Sequence, residues 1–166
     1  MKNRRSFITG LKSTVLQSIE IRFLKKYKPW GVILFSRNIK SIEQTKKLTD
    51  DIKKIFNDRK YPILIDQEGG RINRLSKFID TSKFTGEFFG NLYKNNFKKF
   101  LTYYKIYIVQ TCYLMHILGV NINTVPVLDV RHKKSHNIIG DRAFSANPKI
   151  VSKIGNFCIK EFHKNN

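Results

Sequence analysis

The stretch "ILIDQEGGRINRL", residues 63–75, decides the reading of this chain. Ile63, Leu64 and Ile65 form a short continuous apolar run. Such a run, with no alternation, is what a strand buried on both faces requires. It stops at two carboxylates, Asp66 and Glu68, and two glycines and two arginines follow. Gly69-Gly70 admits backbone conformations that side chains forbid, so the chain can turn sharply there. A carboxylate at a strand end can accept from vicinal sugar hydroxyls. It can equally pair with an arginine such as Arg71 or Arg74, which share one side if a helical turn follows. From chemistry alone both readings stay open.

The neighbouring segments alternate between short apolar runs and helical patterns. Upstream, "SFITG" (6–10) is a brief strand-like run closed by Gly10. "VLQSIEIRFLKKY" (15–27) carries Val15, Leu16, Ile19, Phe23 and Leu24 at helical spacing, and Pro29 ends it. "GVILF" (31–35) is a buried-type strand. "SIEQTKKLTDDIKKIF" (41–56) is a helix with Ser41 as cap and Gln44 placed as in a capping box. Its predicted inner face is Ile42, Thr45, Leu48, Ile52, Ile55 and Phe56. Downstream, residues 77–97 show no assignable pattern. "FKKFLTYYKIYIVQTCYLMHILG" (97–119) is a long helix stopped by Gly119, and "VNINTVPVLDV" (120–130) is a strand whose regular pairing ends near Pro126. Asn147-Pro148 starts a last helix that runs to the end.

The resulting β-α-β-α-β-α-β-α order argues for an α/β fold with parallel strands and right-handed crossovers. An open doubly wound sheet and part of a (β/α)8 barrel both fit. In either, ligands bind where loops leave the strands' C-terminal ends. The polar clusters fall there: Asp66 at the third strand, Asp129 at the fourth, and "IGDRAF" (139–144) in the loop beyond.

Composition narrows the class. The 166 residues are 41% hydrophobic and 13% aromatic, which suits one globular domain rather than a disordered chain. No apolar run is long enough for a membrane span, and the basic N-terminus lacks the apolar stretch of a secretory signal. Cys112 and Cys158 read as buried free thiols. The net charge of +20 is spread over nearly every segment in runs no longer than pairs, with 23 lysines against nine arginines. That pattern reads as solvated faces with a compositional bias, leaving nucleic-acid binding as the alternative of another class. Neither G-x-G-x-x-G nor a P-loop occurs, and no G-x-S-x-G elbow is present. His132 and His136 are four apart but in a loop with two lysines between them, so no metal is expected. His116 reads as a core or boundary histidine, and His163 lies in a charged tail.

Four segments in order carry a resemblance: "WGVILFSRNI" (30–39), "ILIDQEGGRINRL" (63–75), "GVNINTVPVLDV" (119–130) and "NIIGDRAFSANP" (137–148). With them the chain resembles the family-3 glycoside hydrolases, and among these the bacterial β-N-acetylglucosaminidases (β-N-acetylhexosaminidases) of peptidoglycan recycling. The resemblance implies a (β/α)8 barrel, of which residues 1–166 would be the first half, about four β/α units of an incomplete N-terminal catalytic domain. It implies release of terminal β-linked N-acetylglucosamine from muropeptides with retention, through a covalent intermediate. It assigns Asp66, Arg74 and Arg142 to substrate binding. Glu68, Arg71 and Asp129 then organise the loops. No cofactor is implied, the partner is an N-acetylglucosamine-containing saccharide rather than nucleic acid or membrane, and the location is cytoplasmic.

The family's remaining machinery is a K-H-F-P-G-H-G-like motif with a general acid/base histidine, and a later nucleophilic Asp. Neither occurs before Asn166. The expectation is that catalytic residues lie beyond it, that the chain stops before a fifth strand, and that residues 1–166 alone do not hydrolyse. Relatives of full length are expected to be monomers, whereas this portion, with open strand edges, is expected to self-associate. A non-catalytic remnant with a sugar-binding or assembly role is the second reading.

Overall fold

The computed structural model describes residues 3–132 and 137–165, and the chain forms two compact units. The first comprises residues 1–66 and 114–123. Its centre is a four-stranded parallel sheet of β1 (Arg5–Gly10), β2 (Pro29–Leu34), β3 (Ile63–Ile65) and β4 (Ile122–Asn123). The strands lie side by side in chain order. That order separates the two candidate architectures. A doubly wound sheet reverses its order at a switch point, whereas a (β/α)8 barrel adds each strand next to the last. Among the described residues, β1 and β4 each pair on one side only.

The sheet's apolar runs are buried as their pattern requires. Val32, Leu34, Ile63 and Ile65 are fully enclosed. Each such side chain stabilises the fold by about 1.5–3 kcal/mol. Helix α1 (Ser18–Tyr27) starts three residues later than the periodicity suggested, and only Leu24 of its apolar face is buried. Val15, Ile19 and Phe23 remain exposed. Helix α2 (Ile42–Ile55) is capped by Ser41, whose hydroxyl accepts from Gln44 N at 3.2 Å. Gln44 Oε1 accepts instead from Lys40 N at 2.8 Å, so the expected reciprocal box is shifted by one residue. Ile42 is exposed, and Thr49 takes a place on the buried face, donating to Leu118 O at 2.8 Å. A hydroxyl suits that place because the last carbonyls of a helix need donors.

The second unit comprises residues 67–113 and 124–166. It contains helix α3 (Gly86–Asn95), most of α4 (Phe97–Leu118) and α5 (Pro148–Lys164). Asn147 caps α5, accepting from Lys149 N at 2.9 Å. Helix α3 lies inside the stretch that gave no sequence pattern. Thr85 caps it, accepting from Phe88 N at 3.0 Å. Two glycines, Gly86 and Gly90, hid it, because glycine disfavours helix interiors. The structure shows why they are there. A Cβ on Gly86 would lie 2.1 Å from Arg142 O, and one on Gly90 would lie 1.7 Å from Phe144 O. The helix therefore passes directly against the 142–144 backbone. An aromatic core holds the unit, with Phe89 and Tyr104 centroids 4.3 Å apart and Phe100 and Phe157 5.4 Å apart.

Other expectations change. Strand β4 is two residues long, so Asp129 lies not at a strand end but six residues beyond it, exposed in an irregular segment. Pairing ends at Asn123, three residues before Pro126. His116 is exposed on α4, not in the core. Cys112 and Cys158 are buried and free.

Gly90→Ala tests the close approach. In an exposed helix that change stabilises by about 1 kcal/mol. Here we expect it to destabilise by about 1–3 kcal/mol by overpacking against backbone. Urea denaturation with Asn91→Ala as the exposed control reads the sign. A second test uses pH. Burial pushes the Tyr61 phenol from 10.0 up to about 12, against an opposing Arg4 guanidinium, and the Cys158 thiol from 9.0 up to about 12. The unfolded chain ionises first, so the native state holds more protons. Stability from these groups is complete below about pH 9 and lost as pH rises toward 12. The urea midpoint should fall over that window.

Candidate substrate-binding cleft

The candidate cleft is built from the turn that follows β3. Asp66 comes immediately after Ile65, is half-buried, and belongs to the first unit. The rest of the motif belongs to the second. Gln67, unassigned from sequence, is 1% exposed and holds the loop from inside. Its Oε1 accepts from Leu75 N at 3.0 Å, and its Nε2 donates to Thr81 Oγ1 at 3.4 Å. The only signal for it was a polar residue caught between a buried strand and a Gly-Gly turn.

The turn itself needs both glycines. Gly69 and Gly70 sit at φ +88° and +55°. Other side chains are strained there, and space is also lacking, since a Cβ on Gly69 would lie 2.3 Å from Phe84 O. Ile72 N donates to Gly69 O at 3.1 Å, Glu68 N to Ile72 O at 3.1 Å, and Gly70 N to Thr81 O at 2.9 Å. The chain doubles back tightly here, with Glu68 part-buried beside the turn.

Glu68 meets the other motif. Arg142, in the short helical turn Gly140–Arg142, donates from Nε to Glu68 Oε2 at 2.8 Å and from Nη2 to Oε1 at 2.8 Å. This is a fork-to-fork pair, a geometry that arginine supplies and lysine does not. The side chains are 12% and 24% exposed, so the pair is shielded but not sealed. Arg71 makes a second cross-link. Its Nη2 donates to Asn137 O at 2.9 Å, Ile138 O at 2.6 Å and Ile139 O at 3.0 Å, while Nε lies 3.3 Å from Asp141 Oδ1. No helical turn follows Arg71, so Arg71 and Arg74 do not act as one face. Arg74 is half-buried in the turn region of residues 74–78. Arg131 pairs with Glu87 at the start of α3.

Between these walls lies a cleft. Its rim is Glu68, Arg71, Asp141 and Arg142, and its floor is Phe89, Tyr104, Tyr107, Phe144, Phe162 and residues 125–127. The space among these residues is about 20 Å³, room for one water molecule, so a sugar can meet the polar rim but not enter between the rings. Both rim carboxylates are engaged by arginines. A carboxylate whose two oxygens are taken by one guanidinium is arranged to orient, not to hand over a proton.

Among the described residues no group of three His, Cys, Asp or Glu side chains could hold a metal ion. His132 is exposed, and His136 lies outside the described residues, as do Lys133 and Lys134. No helix among the described residues is long and apolar enough to cross a membrane.

Parallel strands added in chain order, with polar loops leaving their C-terminal ends, define a barrel-type α/β domain. Residues 11–166 match the family model described as "Glycosyl hydrolase family 3 N terminal domain". The chain belongs to that family. It is 36% identical over 152 residues to a β-hexosaminidase of Hydrogenovibrio crunogenus, covering 89% of this chain and 41% of that protein. It is 32% identical over 144 residues to β-hexosaminidase A of Pseudoalteromonas piscicida, covering 84% of this chain and 23% of that protein. The chain thus spans less than half the length of these relatives. Among solved structures it is similar to NagZ from Neisseria gonorrhoeae in complex with N-trifluoroacetyl-D-glucosamine. That match has a TM-score of 0.80 at 26% identity, over 98% of this chain and 47% of NagZ.

Removing half of the fork leaves a partly buried guanidinium without its carboxylate. Glu68→Gln is expected to destabilise by about 1–3 kcal/mol. Arg142→Lys should cost a comparable amount, because an ammonium cannot engage both oxygens at once. Urea midpoints of the two variants and the double variant give the coupling, which should be favourable and above about 0.5 kcal/mol.

Proposed function

We propose that this chain is the N-terminal, substrate-recognising portion of a retaining β-N-acetylglucosaminidase that acts on peptidoglycan-derived muropeptides in the cytoplasm. The observation that carries the reading is the cleft formed by the D-Q-E-G-G-R turn and the I-G-D-R turn. Arg142, which lines it, donates to the sugar, and by the family resemblance Asp66 accepts from sugar hydroxyls and Arg74 donates to them. Glu68 keeps the Arg142 guanidinium in one plane, Arg71 ties the two turns, and Asp129 supports the segment leading to them. Chemistry needs a proton donor to the leaving oxygen and a nucleophile on the sugar's other face. Neither role falls to Glu68 or Asp141, since arginines engage both, so residues 1–166 bind without hydrolysing. The exposed Val15, Ile19 and Phe23 give the same portion an apolar surface through which it self-associates.

The test is a titration of the chain with N-acetylglucosamine, followed by the backbone amides of Gly69, Gly70 and Arg142. We expect saturable shifts with Kd on the order of 1 mM, the range of a single weakly held sugar. Asp66→Asn and Arg74→Ala should each weaken binding at least about tenfold. A chromogenic N-acetylglucosaminide should show no turnover above a blank. Binding that is indifferent to Asp66 and Arg74, or turnover by the chain alone, would overturn the reading.

A further inference from the structure

Tyr107 stands on α4, on the floor of the cleft, and has no part in the roles assigned so far. It is 7% exposed. Its hydroxyl donates to Gln67 O at 3.5 Å, the carbonyl immediately before Glu68. The same hydroxyl abuts the next turn of backbone, since a Cβ on Gly69 would lie 3.1 Å from it. Glu68 therefore sits between two residues that one phenol touches. The ring is wedged in place, 5.4 Å from Phe89 and 6.2 Å from Phe84, centroid to centroid. The phenol is thus carried by a helix and reaches a turn that Thr81, Leu75 and the Arg142 fork also hold.

We propose that Tyr107 is a positioning residue for the cleft, setting the 67–69 turn at the height where the Glu68 carboxylate meets the Arg142 fork. Two 2.8 Å bonds to one planar guanidinium tolerate little displacement of the carboxylate. A turn with two left-handed glycines has the freedom to slide by that much, and the phenol removes it. Burial pushes the phenol well above its ordinary value, so the hydroxyl carries its proton throughout the neutral range. The inference rests on the reading of Arg142, held by Glu68, as a sugar-binding residue, but its geometry can be measured without sugar.

The experiment is Tyr107→Phe, which removes one oxygen and keeps the ring. The readout is exchange of the Arg142 Nε–H with water in the sugar-free chain, assigned by its disappearance in Arg142→Lys. The comparison is Tyr104→Phe, which removes a hydroxyl from the neighbouring ring of the same aromatic core, 6.2 Å away centroid to centroid. We expect at least about tenfold faster exchange of the Arg142 Nε–H in Tyr107→Phe, with the amides of α4 and α5 unchanged, and no such effect in Tyr104→Phe. Unchanged Nε–H exchange in Tyr107→Phe would overturn the proposal. So would general acceleration that includes the α4 amides, because it would mark Tyr107 as ordinary core. Sugar titration of the unmodified chain reports separately on the functional reading, so either idea can fail without the other.

Discussion

The arrangement of the second unit depends on one ionic fork. Glu68 and Arg142 stand 74 positions apart in the chain, and their two parallel bonds join the Gly-Gly turn to the Gly140–Arg142 turn. A single hydrogen bond would let the turns pivot about it. Two bonds to a planar guanidinium fix an angle as well as a distance. Arg71 and Asp141 repeat the connection nearby, at 3.3 Å. The cleft's rim is therefore a cross-linked rim, and its carboxylates serve orientation first.

That rim stands on a packed aromatic floor, and the floor explains the glycines above it. Gly69 leaves room for Phe84 O, and Gly86 and Gly90 leave room for the backbone at Arg142 and Phe144. The constraint is steric and local. Helix α3 can run against the 142–144 segment only if it lacks side chains on that side, and the helix propensity it gives up is about 1 kcal/mol per glycine. Packing of Phe89, Tyr104 and Tyr107 then offsets that loss, since aromatic pairs add about 0.5–1.5 kcal/mol each beyond their buried area.

Much of the fold was legible along the chain. Continuous apolar runs at 31–35 and 63–65 became β2 and β3 because parallel strands are buried on both faces. Ser41 and Asn147 marked helix starts because a short polar side chain satisfies the orphan N–H groups there. Helix α3 was not legible. Its glycines answer to residues more than 50 positions away, and no local pattern carries that information. Gln67 was missed for a different reason: its partners Leu75 and Thr81 are near in sequence but lie in a segment with no regular structure.

The sequence by itself determined the alternation of strands and helices, the family, and the positions of the polar motifs beyond β3 and β4. Those are properties of short windows, set by periodicity, capping and turn chemistry. Tertiary structure alone decided which charges meet. The family resemblance set Asp66, Arg74 and Arg142 apart from Glu68, Arg71 and Asp129, but nothing in the sequence said which carboxylate meets which arginine. Closure of the turn at Gly69 and Gly70 brings Glu68 to Arg142 and Arg71 to Asp141, and leaves Asp129 exposed. Pairing of charges depends on distances of a few ångströms across the fold, and a linear pattern does not encode such distances.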